Sequence, residues 1–272
     1  MSPLDREGRA AALSDERVMI ATKSERRTLH HVIGRSFAGT KQTTPEQAVN
    51  WLLGPHLSTP EDPERIAMST FFMSFAVALM APRGTTLCTH SATGDVSASL
   101  IVMKCKRAPP EFMLMDLFRL GASIVSAYRR KEIPDSFAKS DAENKARKKL
   151  VGKGINVRQN IFSKKLHQMH VENANSPHVY VAILATDPPH QRNGYGGHLM
   201  RAACRIADNA GLPAYLETGD PNRAFYESFG FEVRKTYSFT DPKGTDDGWP
   251  PVDKYHAMVR RVQLVHATQM SG

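Results

Sequence analysis

Residues 191–197 have the sequence Gln-Arg-Asn-Gly-Tyr-Gly-Gly and lie between an apolar run and a segment with helical periodicity. Glycines let backbone amides approach a ligand closely, and the amino terminus of a helix attracts negative charge. Pro188 and Pro189, just before this loop, have no backbone N–H to donate. An anion would therefore be bound mainly by the amides between about Arg192 and Gly197. A tight strand-to-helix turn is the alternative explanation of the same glycines.

A second group of residues follows downstream, in the segment LETGDPNRAFYESFGF, where Asn222 and Tyr226 stand before a Gly-Phe pair. Together with Gln191-x-x-Gly194-x-Gly196, this order resembles the GNAT superfamily of N-acetyltransferases. The closest likeness is to the puromycin N-acetyltransferase-like branch. The resemblance covers about residues 178–235. The Walker motif and the full dinucleotide-binding glycine motif are both missing from the sequence.

The resemblance implies acetyl-CoA as the co-substrate, with its pyrophosphate held by the glycine loop. The implied cofactor-binding residues are Leu184, Ala185, Thr186, Gln191, Arg192, Asn193, Gly194, Tyr195, Gly196, Gly197 and Asn222. Backbone groups of the first three would pair with the pantetheine arm as an added strand does, and one of their N–H groups would stabilise the oxyanion. Asn222 would hydrogen-bond the same arm.

The resemblance also implies a catalytic acid. Tyr226 would protonate the departing thiolate, because a phenol stays protonated at neutral pH and donates one directed hydrogen bond. Its alternative role is core packing beside Phe225. Glu217, at the end of a short strand, is the best-placed carboxylate to take the proton of the amine, with Asp220 behind it. Glu217 could equally be a carboxylate satisfied by local backbone amides, in which case water would be the base.

The fold class that the resemblance implies is α/β: a mixed, mostly antiparallel twisted sheet with a splayed central strand pair, helices on its faces and a helical insertion. The pattern supports this class. The run HVYVAILAT (178–186) is apolar at almost every position and predicts a strand buried on both faces. Residues 84–105 predict a hairpin, 63–80 and about 194–210 predict helices, and Thr44-Pro45-Glu46 indicates a helix start.

We predict a disordered leader over residues 1–15 and a single N-acetyltransferase domain over 16–265. Within that domain, about 109–175 is expected to be a helical insertion and about 178–235 the acetyl-CoA-binding core.

The formal net charge of +9 favours anionic partners such as nucleic acid, a membrane surface or a polyphosphate, although it could serve only solubility. The three cysteines are far apart, which suggests reduced thiols and a cytoplasmic protein. The longest apolar run is too short for a membrane helix. His167 and His170 could share one helix face, but a solvated face is the preferred interpretation, and no metal site is expected.

The function that follows is transfer of acetyl from acetyl-CoA to a primary amine, with a small molecule as the expected acceptor. The alternatives are a peptide or protein N-terminal acetyltransferase and a non-catalytic basic module that binds CoA or nucleic acid. We expect neither a membrane nor a nucleic acid as a partner. The oligomeric state, monomer or homodimer, stays open.

Overall fold

A computed structural model describes residues 2–54, 57, 59–60, 62–107, 142–240 and 251–263. Within these residues one seven-stranded sheet has the order β1-β2-β3-β4-β5-β7-β6. The β4–β5 pair is parallel and the other neighbouring pairs are antiparallel, which confirms the predicted fold class. The strands are β1 (Met19–Ile20), β2 (Thr85–His90), β3 (Val96–Cys105), β4 (His178–Thr186), β5 (Ala214–Gly219), β6 (Glu232–Phe239) and β7 (Val252–Arg260).

Helices cover both faces of the sheet. They are α1 (Arg6–Ala12), α2 (Lys23–Ala38), α3 (Gln47–Leu53), α4 (Pro63–Met80), α5 (Ala142–Asn173), α6 (Tyr195–Asn209) and α7 (Arg223–Glu227). Alternate residues of β3 separate the two layers: Leu100 and Val102 face the core under α6, whereas Ile101 faces the core under α2. Helix α4 packs on α2, and α5 packs on α3 and on β6 and β7.

The two central strands diverge. Strand β4 pairs with β5 only at Val179 and Tyr180, which lie opposite Ala214 and Tyr215. On its other side β4 stays paired with β3 as far as Thr186, but the register shifts by one residue near Ile101. Such a bulge bends a strand and increases its local twist. The predicted splay is therefore present, and it leaves the β5-facing edge of β4 open beyond residue 180.

The amino-terminal segment corrects the prediction of a disordered leader over residues 1–15. Helix α1 begins after Asp5, whose carboxylate accepts a hydrogen bond from the Gly8 amide at 2.9 Å. Leu4 and Ala12 are buried in the core that α6 shares. An apolar contact at each end of a capped short helix is enough to dock it, and the sequence pattern over so few residues was too weak to show this.

The predicted insertion is described in part. Residues 109–141 lie outside the described residues, and 142–173 form α5. The prediction of a solvated histidine face on this helix is wrong for His170, which is buried against β4 and β5. In the described part of the chain, no helix is both long enough and apolar enough to cross a bilayer.

Candidate functional site

A cavity of about 710 Å³ occupies the opening between the splayed strands. Its walls come from the end of β4, the start of α6, α7 with the turn before it, and the end of α2 with the segment that leads to α3. The lining residues are Ser36, Phe37, Gln42, Thr43, Thr44, Glu46, Leu184, Thr186, Gln191, Arg192, Gly194, Tyr195, Gly196, Gly197, Pro221, Asn222, Phe225 and Tyr226. The residues expected from the sequence therefore meet at one place, except for Ala185, Asn193 and Glu217.

One wall is the amino terminus of α6. Gly194 is the N-cap residue in the left-handed conformation (φ 82°), and the His198 amide bonds to the Gly194 carbonyl at 3.1 Å. That bond is the first of the helix, so the amides of its first turn have no intrahelical acceptor. They lie at the cavity, where the helix dipole favours an anion. Arg192 also has a positive φ of 63°, an uncommon conformation for a residue with a side chain that is often found at functional loops.

Close packing requires glycine at the second position of this helix. A Cβ built on Gly196 would lie 2.9 Å from the Thr186 hydroxyl oxygen. The start of α6 therefore lies against the side chain of the last residue of β4, and a side chain at residue 196 would displace either the Thr186 hydroxyl or the helix start.

The loop that joins β4 to α6 is held at both ends. The Arg35 guanidinium donates two hydrogen bonds to Asp187, at 2.9 and 2.7 Å, and so ties the loop to α2. The side-chain amide of Gln191 donates to the Thr186 carbonyl at 3.1 Å. Gln191 thus braces the loop, and the amides of 192–197 are held in place for a ligand.

The opposite wall carries Asn222 and Tyr226. Asn222 precedes α7 without capping it through its side chain, so its amide group is not used by the helix. Tyr226 packs edge-on against Phe225 and Phe231, with ring centroids 5.1 and 6.2 Å away, while its remaining surface lines the cavity. Burial, reinforced by the charge of Glu46, raises the pKa of the Tyr226 phenol, which keeps it protonated.

Glu46 is a cavity residue that the sequence analysis missed. It is the N-cap of α3: one carboxylate oxygen accepts from the Val49 amide at 2.7 Å, and the other lies 3.4 Å from the Tyr255 hydroxyl, which donates to it. Burial raises the pKa of Glu46 despite the bonds from the amides of α3. The helix start was visible in the sequence, but nothing in the local pattern showed that this cap would face a cavity built by residues far along the chain.

Glu217 lies outside the cavity, on the face of β5 that packs against α5. Its side chain is 5% exposed, and Oε1 is 3.6 Å from His170 Nδ1, beyond hydrogen-bond distance. Burial raises the pKa of Glu217 to about 7. Burial also lowers the pKa of His170 to about 3. Burial thus favours a neutral carboxylic acid beside a neutral imidazole, and neither group lines the cavity.

The hydrogen bonds of His178 and His170 determine which of their ring nitrogens carry a proton. His178 Nδ1 is 2.7 Å from the Ser176 carbonyl and must donate to it. A neutral His178 then accepts at Nε2, so His170 Nε2, 2.7 Å away, is the donor. His170 Nδ1 is left as an acceptor that faces Glu217, which agrees with a proton on that carboxyl group.

The remaining candidate residues outside the cavity are Asp220, Ala185 and Asn193, and each has different surroundings. Asp220 is partly exposed and hydrogen-bonded to His256 Nε2 at 2.9 Å, which lowers the pKa of the Asp220 carboxyl. Ala185 has its side chain in the core under α2. Asn193 lines a second, adjoining cavity with Tyr195.

Residues 142–231 match the family model for the "Acetyltransferase (GNAT) family". This segment is similar to the GNAT acetyltransferases. It includes Asn222, Tyr226 and the loop at 191–197, whose residues other than Asn193 line the cavity, but it excludes Glu46.

Solved structures resemble the whole fold. One is named as a histone acetyltransferase HPA2 and related acetyltransferase from Corynebacterium glutamicum, with 16% identity, coverage of 91% of this chain and 96% of that one, and a TM-score of 0.51. Another is arylalkylamine N-acetyltransferase 2 from Aedes aegypti, with 13% identity, coverage of 91% and 99%, and a TM-score of 0.49. At 16% identity the likeness to the first of these structures is one of fold, and it extends beyond residues 142–231 to 91% of this chain.

Proposed function

We propose that the protein is an acetyl-CoA-dependent N-acetyltransferase that transfers acetyl directly to the primary amine of a small molecule. The observation that carries this proposal is the cavity in the strand splay, where an amide cradle, an open strand edge, a neutral phenol and a carboxylate meet. Its volume of about 710 Å³ lies in the range of small-molecule sites.

The donor substrate fits the surfaces present. The amides of 192–197 and the Arg192 side chain would bind the pyrophosphate. The open edge of β4 near Leu184 and Thr186 would pair with the amides of the pantetheine arm, as an added strand does. The backbone groups of successive strand residues point to opposite edges, so those of Ala185, which lies opposite Ser99, face β3 when those of Leu184 and Thr186 face the open edge. Ala185 would therefore hold β4 to β3 and would not bond the arm itself. Asn222, with an unused amide group, would bond the arm from the other side.

The reaction needs one base and one acid. Glu46 would take the proton of the ammonium group, the amine nitrogen would bond to the thioester carbonyl carbon, and the carbon–sulfur bond would break. Tyr226 would give its proton to the leaving thiolate, and the nitrogen would release its second proton to the Tyr226 phenolate as the amide forms. A carboxylate whose pKa is raised toward neutrality is a better base at that pH than an ordinary one. We propose Glu46 as the base in preference to Glu217, since Glu46 lines the cavity and Glu217 does not.

A free-thiol release assay with acetyl-CoA and a panel of amines tests the proposal. The panel should contain aminonucleosides, because the motif resembles that of the puromycin N-acetyltransferase-like branch. It should also contain arylalkylamines, polyamines, amino acids and short peptides. We expect amine-dependent thiol release with at least one small amine. No release with any amine, in a protein that is also not stabilised by CoA, would refute the function.

The base is tested by a matched pair of variants. Glu46→Gln should lower kcat/KM by roughly 100-fold and should remove the rise of kcat/KM with pH that titration of a base produces. Glu217→Gln, a change of the same size behind the sheet, should leave kcat/KM within a few-fold of wild type. The reverse result would return the role of base to Glu217.

A further inference from the structure

A second group of potential ligands lies away from the proposed active site, where the start of α2 crosses the end of β2. A carboxylate oxygen of Glu25, the thiol of Cys88 and a ring nitrogen of His90 all lie within 4.8 Å of one another. Glu25 Oε1 and His90 Nε2 are 2.5 Å apart. A sulfur, a nitrogen and an oxygen donor thus converge from two elements of the fold.

The convergence follows from the strand and from the helix cap. Alternate residues of a strand share a face, so Cys88 and His90 both point toward α2. Thr22 caps α2, and its amide and hydroxyl each donate to Glu25 Oε2 at 2.6 Å. Because these bonds occupy Oε2, the carboxylate is held with Oε1 toward His90. Bonds of this kind orient metal ligands in known sites.

One side of the cluster opens to solvent. Cys88 is buried, whereas the side chains of Glu25 and His90 are each about one-fifth exposed. His90 also lines the adjoining cavity of about 450 Å³, together with Arg17, Tyr195 and His198. An ion could enter from this cavity, and a water molecule could occupy the coordination position that faces it.

We propose that Glu25, Cys88 and His90 form a site for a divalent transition-metal ion, with Zn²⁺ as the best match. Thiolate, imidazole and carboxylate are the ligands that zinc takes, at about 2.3, 2.0–2.1 and 2.0–2.2 Å respectively, and three protein ligands with one open position is a known arrangement. Those bond lengths place ligand atoms roughly 3–4 Å apart. The Glu25 and His90 atoms would therefore have to separate by about 1 Å, and Cys88 would have to approach. On binding, the Cys88 thiol loses its proton to solvent and becomes the thiolate ligand.

The competing explanation is a Glu25–His90 ion pair beside a core cysteine. It explains the short contact, but the two explanations differ in what a metal ion does. If the contact is only an ion pair, no metal ion binds there stoichiometrically. Any weak binding of metal would then be the same with and without the Cys88 thiol.

Co²⁺ titration of the full chain, after treatment with a chelator, separates the two explanations. We expect one equivalent of Co²⁺ to produce a near-ultraviolet thiolate-to-cobalt absorption band together with a visible band of four-coordinate cobalt. Zn²⁺ should displace both. Cys88→Ser should lose the thiolate band and weaken Co²⁺ binding at least tenfold. Cys105→Ser, at a buried cysteine elsewhere in the fold, is the matched control and should keep both.

Absence of a thiolate band at one equivalent in wild type, or an unchanged band in Cys88→Ser, would overturn the proposal. If Cys88→Ser does not fold, as judged by its circular dichroism, His90→Gln takes its place: unchanged affinity and visible band in that variant would equally overturn it. The readout is spectroscopic and does not depend on acetyl transfer, so this proposal and the proposed function can fail separately.

Discussion

The titratable side chains in and near this site differ in their surroundings, and these surroundings decide which of them can donate or accept a proton. Tyr226 and Glu46 face the same cavity, and burial raises the pKa of both, so one remains a proton donor and the other becomes a stronger base. Glu217 is buried behind the sheet beside His170, where an ionised carboxylate would have a neutral imidazole as its neighbour. Identical residue types thus acquire different roles from their surroundings.

Tyr226→Phe tests the acid at this scale. The change removes only the hydroxyl group and keeps the ring contacts with Phe225 and Phe231. We expect kcat to fall by roughly 100-fold, with little change in the KM for acetyl-CoA, since the phenol would act on the leaving group alone. Steady-state kinetics measures both constants. Tyr237→Phe, which lies outside the cavity, serves as the control. Wild-type turnover in Tyr226→Phe would make this residue a core residue.

Glu217→Gln tests the protonation of the buried carboxyl group. The pKa of Glu217 is raised to about 7 in the folded state, from 4.5. The unfolded chain therefore releases the proton at lower pH than the folded one, and the stability of wild type falls as the pH rises from about 4.5 to 7. Glutamine does not titrate. The variant should thus gain free energy of unfolding relative to wild type across this range, on the order of 1 kcal/mol per pH unit.

Urea denaturation of both proteins at pH 4.5, 5.5, 6.5 and 7.5 measures that difference. A constant difference across the series would show that Glu217 is ionised in the folded protein, contrary to the proton assigned to it.

At the scale of elements, the contact between β4 and α6 determines the shape of the site. The strand ends at Thr186, whose hydroxyl lies against Gly196, and the loop between them is anchored through Asp187 to Arg35. The distance between β4 and α6 is therefore fixed, and this distance positions the backbone amides of 192–197.

Gly196→Ala should disturb this spacing. The new methyl group would stand 2.9 Å from the Thr186 hydroxyl oxygen, so either the Thr186 side chain or the helix start must shift. We expect the KM for acetyl-CoA to rise about tenfold, corresponding to roughly 1.4 kcal/mol of binding free energy. Thr186→Ala makes room for the methyl group, and the double variant should recover most of the affinity. If the double variant binds no better than Gly196→Ala, close packing is not the reason for this glycine.

How well the elements could be predicted depended on how strongly the local pattern marked them. The apolar run 178–186, the hairpin around Gly94 and the helix over 63–80 have clear periodicity or turn residues, and the structure contains all three. Helix α1 is short and depends on contacts with α6, which no local pattern reveals. Glu46 was missed for the same reason: a cap residue has a recognisable local role, whereas its position opposite Tyr226 is a property of the tertiary fold.

On the scale of the whole molecule, the amino terminus contributes to the central core. Leu4 is 3% exposed and lies in the same apolar cluster as Leu199 of α6 and Leu216 of β5. Helix α1 packs along α6, the helix whose amino terminus lines the cavity. Residues 2–12 therefore support the site from behind.

Leu4→Ala should lower the free energy of unfolding by about 2–4 kcal/mol, since it removes a buried side chain and leaves a cavity. Leu13→Ala is the matched control, because Leu13 is 43% exposed and its loss should cost less than about 0.5 kcal/mol. Chemical denaturation of both variants gives the comparison. Equal, small effects would mean that the amino-terminal helix is not docked in solution.

The cavity joins residues that are far apart in the chain. Ser36 and Glu46 line it from early in the chain, and Tyr226 lines it from late in the chain. These groups meet only when the strands between them in the sequence are paired. Contacts between distant residues are slow to form, although their entropic cost grows only slowly with the length of chain that they close. We therefore expect the site to be completed late in folding. A nascent or truncated chain that stops before residue 222 would contain the glycine loop and the proposed base but would lack the wall that carries Asn222 and Tyr226.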